Sequence, residues 1–453
     1  MTRLLIAAVV AVLVVATGGF CPSLAQAQDK KPNIIVFLSD DVGYGEYGFQ
    51  GNKEIPTPNI DSIAKNGVRF TQGYNAATYC SPCRAGLLTG RYPTRFGHEF
   101  NEGGPAGDKG GFGLPLTETT IANRMKELGY ATACVGKWHL GGGEKFLPMA
   151  RGFDEFYGTV ANTPFFNPPN FIDSRVSPKI SPVKDDNFYT TDAYAERAVD
   201  WLGKQKDKPF FLYLPFNAQH APLQATKKYL DRVKDMPEGN RKTFAAMMIA
   251  MDDAVGKVLA KVKEMGQEEN TLIIFFSDNG GPTQQTTSKN DPLRGRKATT
   301  LEGGIRVPYC IQWKGKIKPG TTYENPIINL DILPTVVVAA GGKISRDWKL
   351  DGVDLMPYLT GANTGKPHDV LYWRFGDQWA IRKGDFKLVA SAVDGVNKVL
   401  LYNLKDDIGE SKDLAAAMPD KVKELKADWD KWSAEQEKPR WVPMKKKDKK
   451  DEE

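Results

Sequence analysis

Asn33-Ile-Ile-Val-Phe-Leu-Ser-Asp40-Asp41 and Thr271-Leu-Ile-Ile-Phe-Phe-Ser-Asp278-Asn279-Gly280 share one design. Each is an apolar run without polar alternation, as expected of a strand buried on both faces in a parallel sheet covered by helices. Each then ends in adjacent oxygen-bearing side chains. In a parallel sheet the carboxyl ends of the strands open on one edge, where ligand crevices form. Asp40, Asp41, Asp278 and Asn279 are therefore expected to converge, and four oxygen donors suit a hard cation such as calcium better than zinc. The competing reading is that both ends are plain turns, because Asp-Asn-Gly is turn chemistry in its own right.

From about residue 32 the chain repeats this alternation of apolar runs with helical patterns, which predicts an α/β fold, a mostly parallel sheet sandwiched by helices. Thr57-Pro58 starts a helix with Ile60 and Ile63 inward, and Gly67 stops it. Ile121, Met125 and Leu128 mark another, ended by Gly129 and followed by a strand at 131–135. Helix 193–202, strand 210–214, helix 243–265 and strand 271–276 continue the pattern. In the long helix Phe244, Met247, Met248, Met251, Val255, Val258, Leu259 and Val262 make one apolar face, so its methionines belong to the core. Residues 161–184, rich in Pro, Asn and Phe, show no periodicity and read as a loop, either a pocket wall or packing. Past about 365 come short strand-like runs at 371–374, 379–382, 386–389 and 399–404. A helix follows with Val422, Leu425, Trp429 and Trp432 on one face, so a smaller C-terminal antiparallel sheet plus helix is expected. The expected boundaries are a large domain at 28–364, a small α+β domain at 365–442, and a disordered charged tail at 443–453.

Residues 1–27 carry Arg3, an apolar run of 13 residues from Leu4 to Ala16, and then Ala25-Gln26-Ala27. That is the pattern of a cleaved secretory signal, and the run is too short to span a membrane, which takes about 20 residues. The mature chain is thus expected to be exported, to the periplasm or the medium, with no membrane span. Formal net charge is +6, and loss of Arg3 leaves +5, a mild excess that does not point to nucleic acid. Of five cysteines four remain, Cys80, Cys83, Cys134 and Cys310, too few for a disulfide framework in 453 residues.

The densest local signal is Tyr79-Cys80-Ser81-Pro82-Cys83-Arg84-Ala-Gly-Leu-Leu-Thr89-Gly90-Arg91. Ser81 as cap and Pro82 at the first helical position would set Cys80 at the positive end of a short helix closed by Gly90, where an anion is welcome. Cys-x-Pro-x-Arg followed by Leu-Thr-Gly-Arg resembles the signature of the formylglycine-dependent sulfatases, in which the cysteine is oxidised after translation. Further landmarks follow in order. Gly136-Lys137-Trp138-His139 leaves a strand end, with its cationic residues on one side if extended. The segment running from Phe211 to His220 supplies a histidine. Leu293-Arg-Gly-Arg-Lys297, which reads as an exposed loop, supplies a lysine ahead of Glu302-Gly-Gly-Ile-Arg-Val-Pro308. The position of Cys83 is more often serine in that family.

The resemblance implies an alkaline-phosphatase-like fold and a sulfuric ester hydrolase acting on a sulfated carbohydrate or aryl sulfate. It also implies calcium on Asp40, Asp41, Asp278, Asn279 and residue 80, and a maturation enzyme that converts Cys80 to formylglycine. In the implied chemistry one hydroxyl of the hydrated aldehyde, activated by the metal and Asp278, attacks sulfur. Arg84, Lys137 and Lys297 hold the sulfate, and His220 and Lys297 assist the leaving oxygen. His139 then deprotonates the other hydroxyl to expel sulfate. Three other readings remain: a phosphonate or phosphate monoester hydrolase with the same site, a redox dithiol at Cys80-Ser-Pro-Cys83, and an unmatured protein that only binds sulfated glycans.

Overall fold

The computed structural model describes residues 30–101, 112–206, 208–395 and 398–441. The leader at 1–27 and the tail at 443–453 lie outside the described residues; from Lys31 onward these form one compact unit. No described helix is long and apolar enough to cross a membrane.

Along the chain come β1 (Asn33–Ser39), β2 (Val68–Phe70), β3 (Gly73–Tyr74), β4 (Ala131–Val135), β5 (Glu155–Thr159) and β6 (Phe171–Asp173). They are followed by β7 (Ser177–Ser181), β8 (Phe210–Pro215), β9 (Thr271–Ser277), β10 (Tyr309–Gln312), β11 (Thr321–Tyr323) and β12 (Ile327–Ile328). Ten of them make one mixed sheet in the order β11-β2-β10-β9-β1-β8-β4-β5-β6-β7. Its middle, β9-β1-β8-β4-β5, is parallel throughout, and antiparallel pairs flank it on both sides.

Strand β1 shows why its sequence has no polar alternation. Successive side chains point to opposite faces of a sheet. Ile35 and Phe37 enter a core with the helices Thr190–Gly203 and Asn240–Glu264, whereas Ile34, Val36 and Leu38 enter another with Cys80–Thr89, Ile121–Glu127 and Ile332–Ala339. Both faces are dry, so every position is apolar. The methionines of the long helix are core as expected.

The loop expected at 161–184 is instead partly sheet, since it contains β6 and β7. Phe171 and Ile172 are buried, but Ser177–Ser181 is an edge strand held by backbone pairing with exposed side chains, which leaves no hydrophobic period to read.

The smaller sheet is the antiparallel meander β13 (Val370–Phe375), β14 (Gln378–Lys383), β15 (Phe386–Ala390) and β16 (Val399–Asn403). The helix Pro419–Ala434 packs on it, with Trp432 stacked on Tyr372 at 4.9 Å and Trp429 against Trp379 at 4.6 Å. Trp373 from β13 is buried among Tyr74, Leu301 and Ile305, and its indole donates to the Asn75 carbonyl at 2.7 Å. Buried charges tie the same seam. Lys387 of β15 reaches Glu302 and Glu410, each at 2.8 Å, and Glu302 also pairs with Arg306 and accepts from the Tyr74 hydroxyl.

Removing one partner of a buried ion pair strands the others. Lys387→Met is expected to destabilise the protein by about 3–5 kcal/mol, seen as a lower midpoint in urea. An unchanged midpoint would show that Glu302 and Glu410 are not held by this lysine.

Candidate active site

The site grows from a register. Ser39 of β1 lies beside Ser277 of β9, so the next residues, Asp40 and Asp278, leave the sheet together. Asp41 turns back in a left-handed conformation, φ 64°, and its amide donates to Asp278 Oδ1 at 3.2 Å. Such backbone costs about 1–3 kcal/mol in a residue with a side chain and collects at functional sites. His139 is a second case, φ 58°. The chain is thus not extended at His139, so the condition under which Lys137 and His139 would lie on one side is not met there. At the end of β4 Gly136 has φ 136°, and a Cβ there would lie 1.9 Å from the Pro215 carbonyl oxygen, so only glycine lets the two neighbouring strand ends approach.

Cys80 is the first residue of the helix Cys80–Thr89, which Gly90 closes at φ 67°. The expected Ser81 cap is not formed. Tyr79 occupies the cap position, and Ser81 inside the first turn gives its amide to Asn101 Oδ1 at 2.9 Å and pairs its hydroxyl with His98 Nε2 at 2.6 Å.

All ten expected residues come together. Cys80 Sγ lies 3.5 Å from Asp40 Oδ1, 4.0 Å from Asp41 Oδ1 and 3.2 Å from Lys297 Nζ. Arg84 bonds Asp278 Oδ2 through Nε at 3.2 Å and NH2 at 2.8 Å, and the Lys137 carbonyl at 2.7 Å. Lys137 Nζ bonds Asp40, and Lys297 Nζ bonds Asp41 Oδ1 at 2.6 Å. Asn279 Nδ2 donates to Asp41 Oδ1 at 2.7 Å, and His220 Nε2 stands 3.6 Å from Asp41 Oδ2. Lys297 is buried, not exposed as its loop suggested, because the loop folds inward to place the ammonium against Asp41 and Cys80.

Electrostatics follow from burial. For Asp40, burial would raise the carboxyl, but Lys137, His220, Arg84 and Lys297 outweigh it and hold it well below its usual range. Asp278 goes the other way, raised by burial and by the like charge of Asp40. Burial also pushes up the thiols of Cys80 and Cys83, despite Lys137 and Lys297 beside Cys80, so both are neutral. His139 is held well below its ordinary value by burial and by Lys137, and His220 is lowered chiefly by burial. For Lys297 burial would lower the ammonium, but the carboxylates around it, Asp41 foremost, outweigh that and raise it.

The donors fit a cation. One ligand atom each from Asp40, Asp41, Cys80 and Asp278 lies within 4.8 Å of the others. Asp41 Oδ2 and Asn279 Oδ1 are buried acceptors without a hydrogen-bond donor, an arrangement that a cation relieves. Above this floor a cleft of about 410 Å³ is lined by Tyr79, Asn101, Asn162, His220, Gln284, Gln285, Arg296 and Lys297 among others. Of these walls the sequence had singled out His220 and Lys297 as site residues; for the others the position of Arg296, next to Lys297, is the one signal that was available.

Buried cations and carboxylates gathered at the carboxyl edge of a helix-covered α/β sheet define a hydrolase of tetrahedral oxyanion esters with an alkaline-phosphatase-like fold. The chain belongs to the sulfatase family: the family model Sulfatase matches residues 32–342, and N-sulphoglucosamine sulphohydrolase, C-terminal, matches 296–435. It is a sulfuric ester hydrolase. It is 34% identical to the N-acetylgalactosamine-6-sulfatase of Rattus norvegicus over 80% of this chain and 72% of the relative. It is 32% identical to the arylsulfatase A of Homo sapiens over 88% and 87%. The crystal structure of Ps i-CgsB superposes with a TM-score of 0.83 at 34% identity, covering 91% of this chain and 95% of that one.

Neutral, enclosed thiols are inert. In protein produced with Cys80 unmodified, iodoacetamide at pH 7.5 is expected to leave Cys80, Cys83, Cys134 and Cys310 unlabelled until denaturant is added. Fast native labelling of Cys80 or Cys83, read by peptide mass spectrometry, would revive the dithiol reading.

Proposed function

We propose that this enzyme removes sulfate from a sulfated carbohydrate, with Cys80 matured to formylglycine and calcium held by Asp40, Asp41, Asp278 and Asn279. The observation that carries the reading is the pair of donorless buried acceptors, Asp41 Oδ2 and Asn279 Oδ1, beside Cys80. The carbohydrate is supported by Ps i-CgsB, whose structure is also known in complex with k-i-k-neocarrahexaose at a TM-score of 0.83 and 33% identity.

When present, the hydrated aldehyde supplies the attacking hydroxyl and calcium neutralises the negative charge around it. The chain's own residues do the rest. Three carboxylates, Asp40, Asp41 and Asp278, face three cations, Arg84, Lys137 and Lys297, so a divalent ion leaves the site net positive toward a sulfate monoester. Arg84 and Lys137, both buried, are oriented by Asp278 and Asp40, and with Lys297 they present preorganised charge to the sulfate oxygens. Lys297, kept protonated by Asp41, is the stronger donor to the departing oxygen. His220 has its Nδ1 turned to the Ala221 carbonyl at 2.5 Å, which leaves Nε2 to face the same oxygen. His139, neutral and with Nδ1 unpartnered, is free to take a proton from the group at position 80.

Hydrazide labelling of active enzyme, read on the peptide carrying residue 80, should find the aldehyde, and titration of metal-free protein should find one calcium. Activity with an intact thiol in every molecule, or full turnover of 4-nitrophenyl sulfate after rigorous chelation, would overturn the proposal. Lys297→Ala should lower kcat by roughly 10² to 10³, the usual loss of one donor to developing charge. Unchanged kinetics with both an aryl and an alkyl sulfate would remove Lys297 from the reaction.

A further inference from the structure

The floor of the cleft is electrically compensated, since each cation there has a carboxylate partner. Its rim is not. Arg296 is exposed and lines the cleft beside Lys297 and His220, yet no hydrogen bond or ion pair engages its guanidinium among the described residues. Only its backbone is engaged, through the amide and carbonyl that meet Thr299 Oγ1 at 3.1 and 2.6 Å. Among the described arginines only Arg346, on the unrelated segment Arg346–Trp348, is similarly free. Among the described residues no aspartate or glutamate lines the cleft, whose other polar walls are Tyr79 and the amides Asn101, Asn162, Gln284 and Gln285.

Neutral amides bond sugar hydroxyls without discriminating charge. A guanidinium fork is different, because it matches the geometry of a sulfate or carboxylate. The backbone bonds to Thr299 hold Arg296 one residue from Lys297, whose ammonium lies 3.2 Å from Cys80 Sγ. The backbone is thus fixed beside the reacting centre, while the unengaged, exposed guanidinium lines the cleft outside the buried floor.

We propose that Arg296 reads a second anionic group on the substrate, so that the enzyme selects sulfate esters bearing another sulfate or a carboxylate beyond the ester it cleaves. This rests on the cleft being the substrate entrance of the sulfatase site. Arg296 is a specificity residue, acting on substrate binding and not on the bond broken.

The test uses three matched substrates whose recognition needs no particular sugar: phenyl sulfate, 3-carboxyphenyl sulfate and 3-sulfophenyl sulfate, hydrolysed by the matured, calcium-loaded enzyme and by Arg296→Gln. Leaving-group acidity cancels when wild type is divided by variant for each substrate. For one or both dianions this ratio of kcat/KM should be about tenfold or more, the worth of a charge-assisted bidentate bond, carried by KM and shrinking with salt. For phenyl sulfate it should stay within about twofold, and Arg296→Lys should recover part of the preference. Loss confined to the carboxylate or to the sulfonate names the anion that is read. Equal ratios for all three substrates overturn the proposal. Failure of wild type to hydrolyse any of the three would instead overturn the cleft as the entrance to the site.

Discussion

Three carboxylates that must be buried together govern this molecule. Asp40 and Asp278 leave adjacent parallel strands side by side, and Asp41 is folded back onto them. Charges out of water are tolerated only when paired and hydrogen-bonded. Hence Arg84 comes from a helix on one face, Lys137 from the end of β4 across β8, and Lys297 from a loop more than 200 residues beyond Cys80. Each lies where a carboxylate needs a countercharge, and together they gather three cations around Cys80. Stability and chemistry draw on the same contacts.

The smaller sheet takes part in this arrangement at a distance. Lys297 and Glu302 belong to one short stretch of chain, and Glu302 is locked into the seam by Lys387 and by its amide bond to Glu410 Oε2 at 2.7 Å. Gln378, from β14, donates to the carbonyl of Ala298, the residue after Lys297, at 2.9 Å. The C-terminal meander thus holds the inward fold of the loop from behind.

What was legible in the sequence was what periodicity and punctuation carry. The doubly buried strands, the glycine-closed helix of Cys80 and the C-terminal hairpins follow from local pattern. Convergence of the ten site residues was readable because strand ends share an edge and because the motifs resemble a family. The rest depends on contacts that no local pattern encodes. Strand β7 is paired through its backbone alone; Ser81 leaves its capping role because Asn101 and His98 compete for it; Lys297 is drawn inward by Asp41. The cleft walls come from six separate stretches of chain, at 79, 101, 162, 220, 282–285 and 296–298, whose meeting no local pattern announces.

Cys80 has no exposed surface, sits within the first turn of a helix, and is overlaid by Lys297 from much later in the chain. A protein catalyst that alters this side chain has to grip the peptide around it in an open form. The native fold does not offer that form. On the maturation proposed for Cys80, modification and folding would therefore compete in time, and the fraction of active molecules would be decided by which reaches residue 80 first. Slowing collapse of the chain onto that helix would raise the yield of competent enzyme without changing a single contact in the finished site.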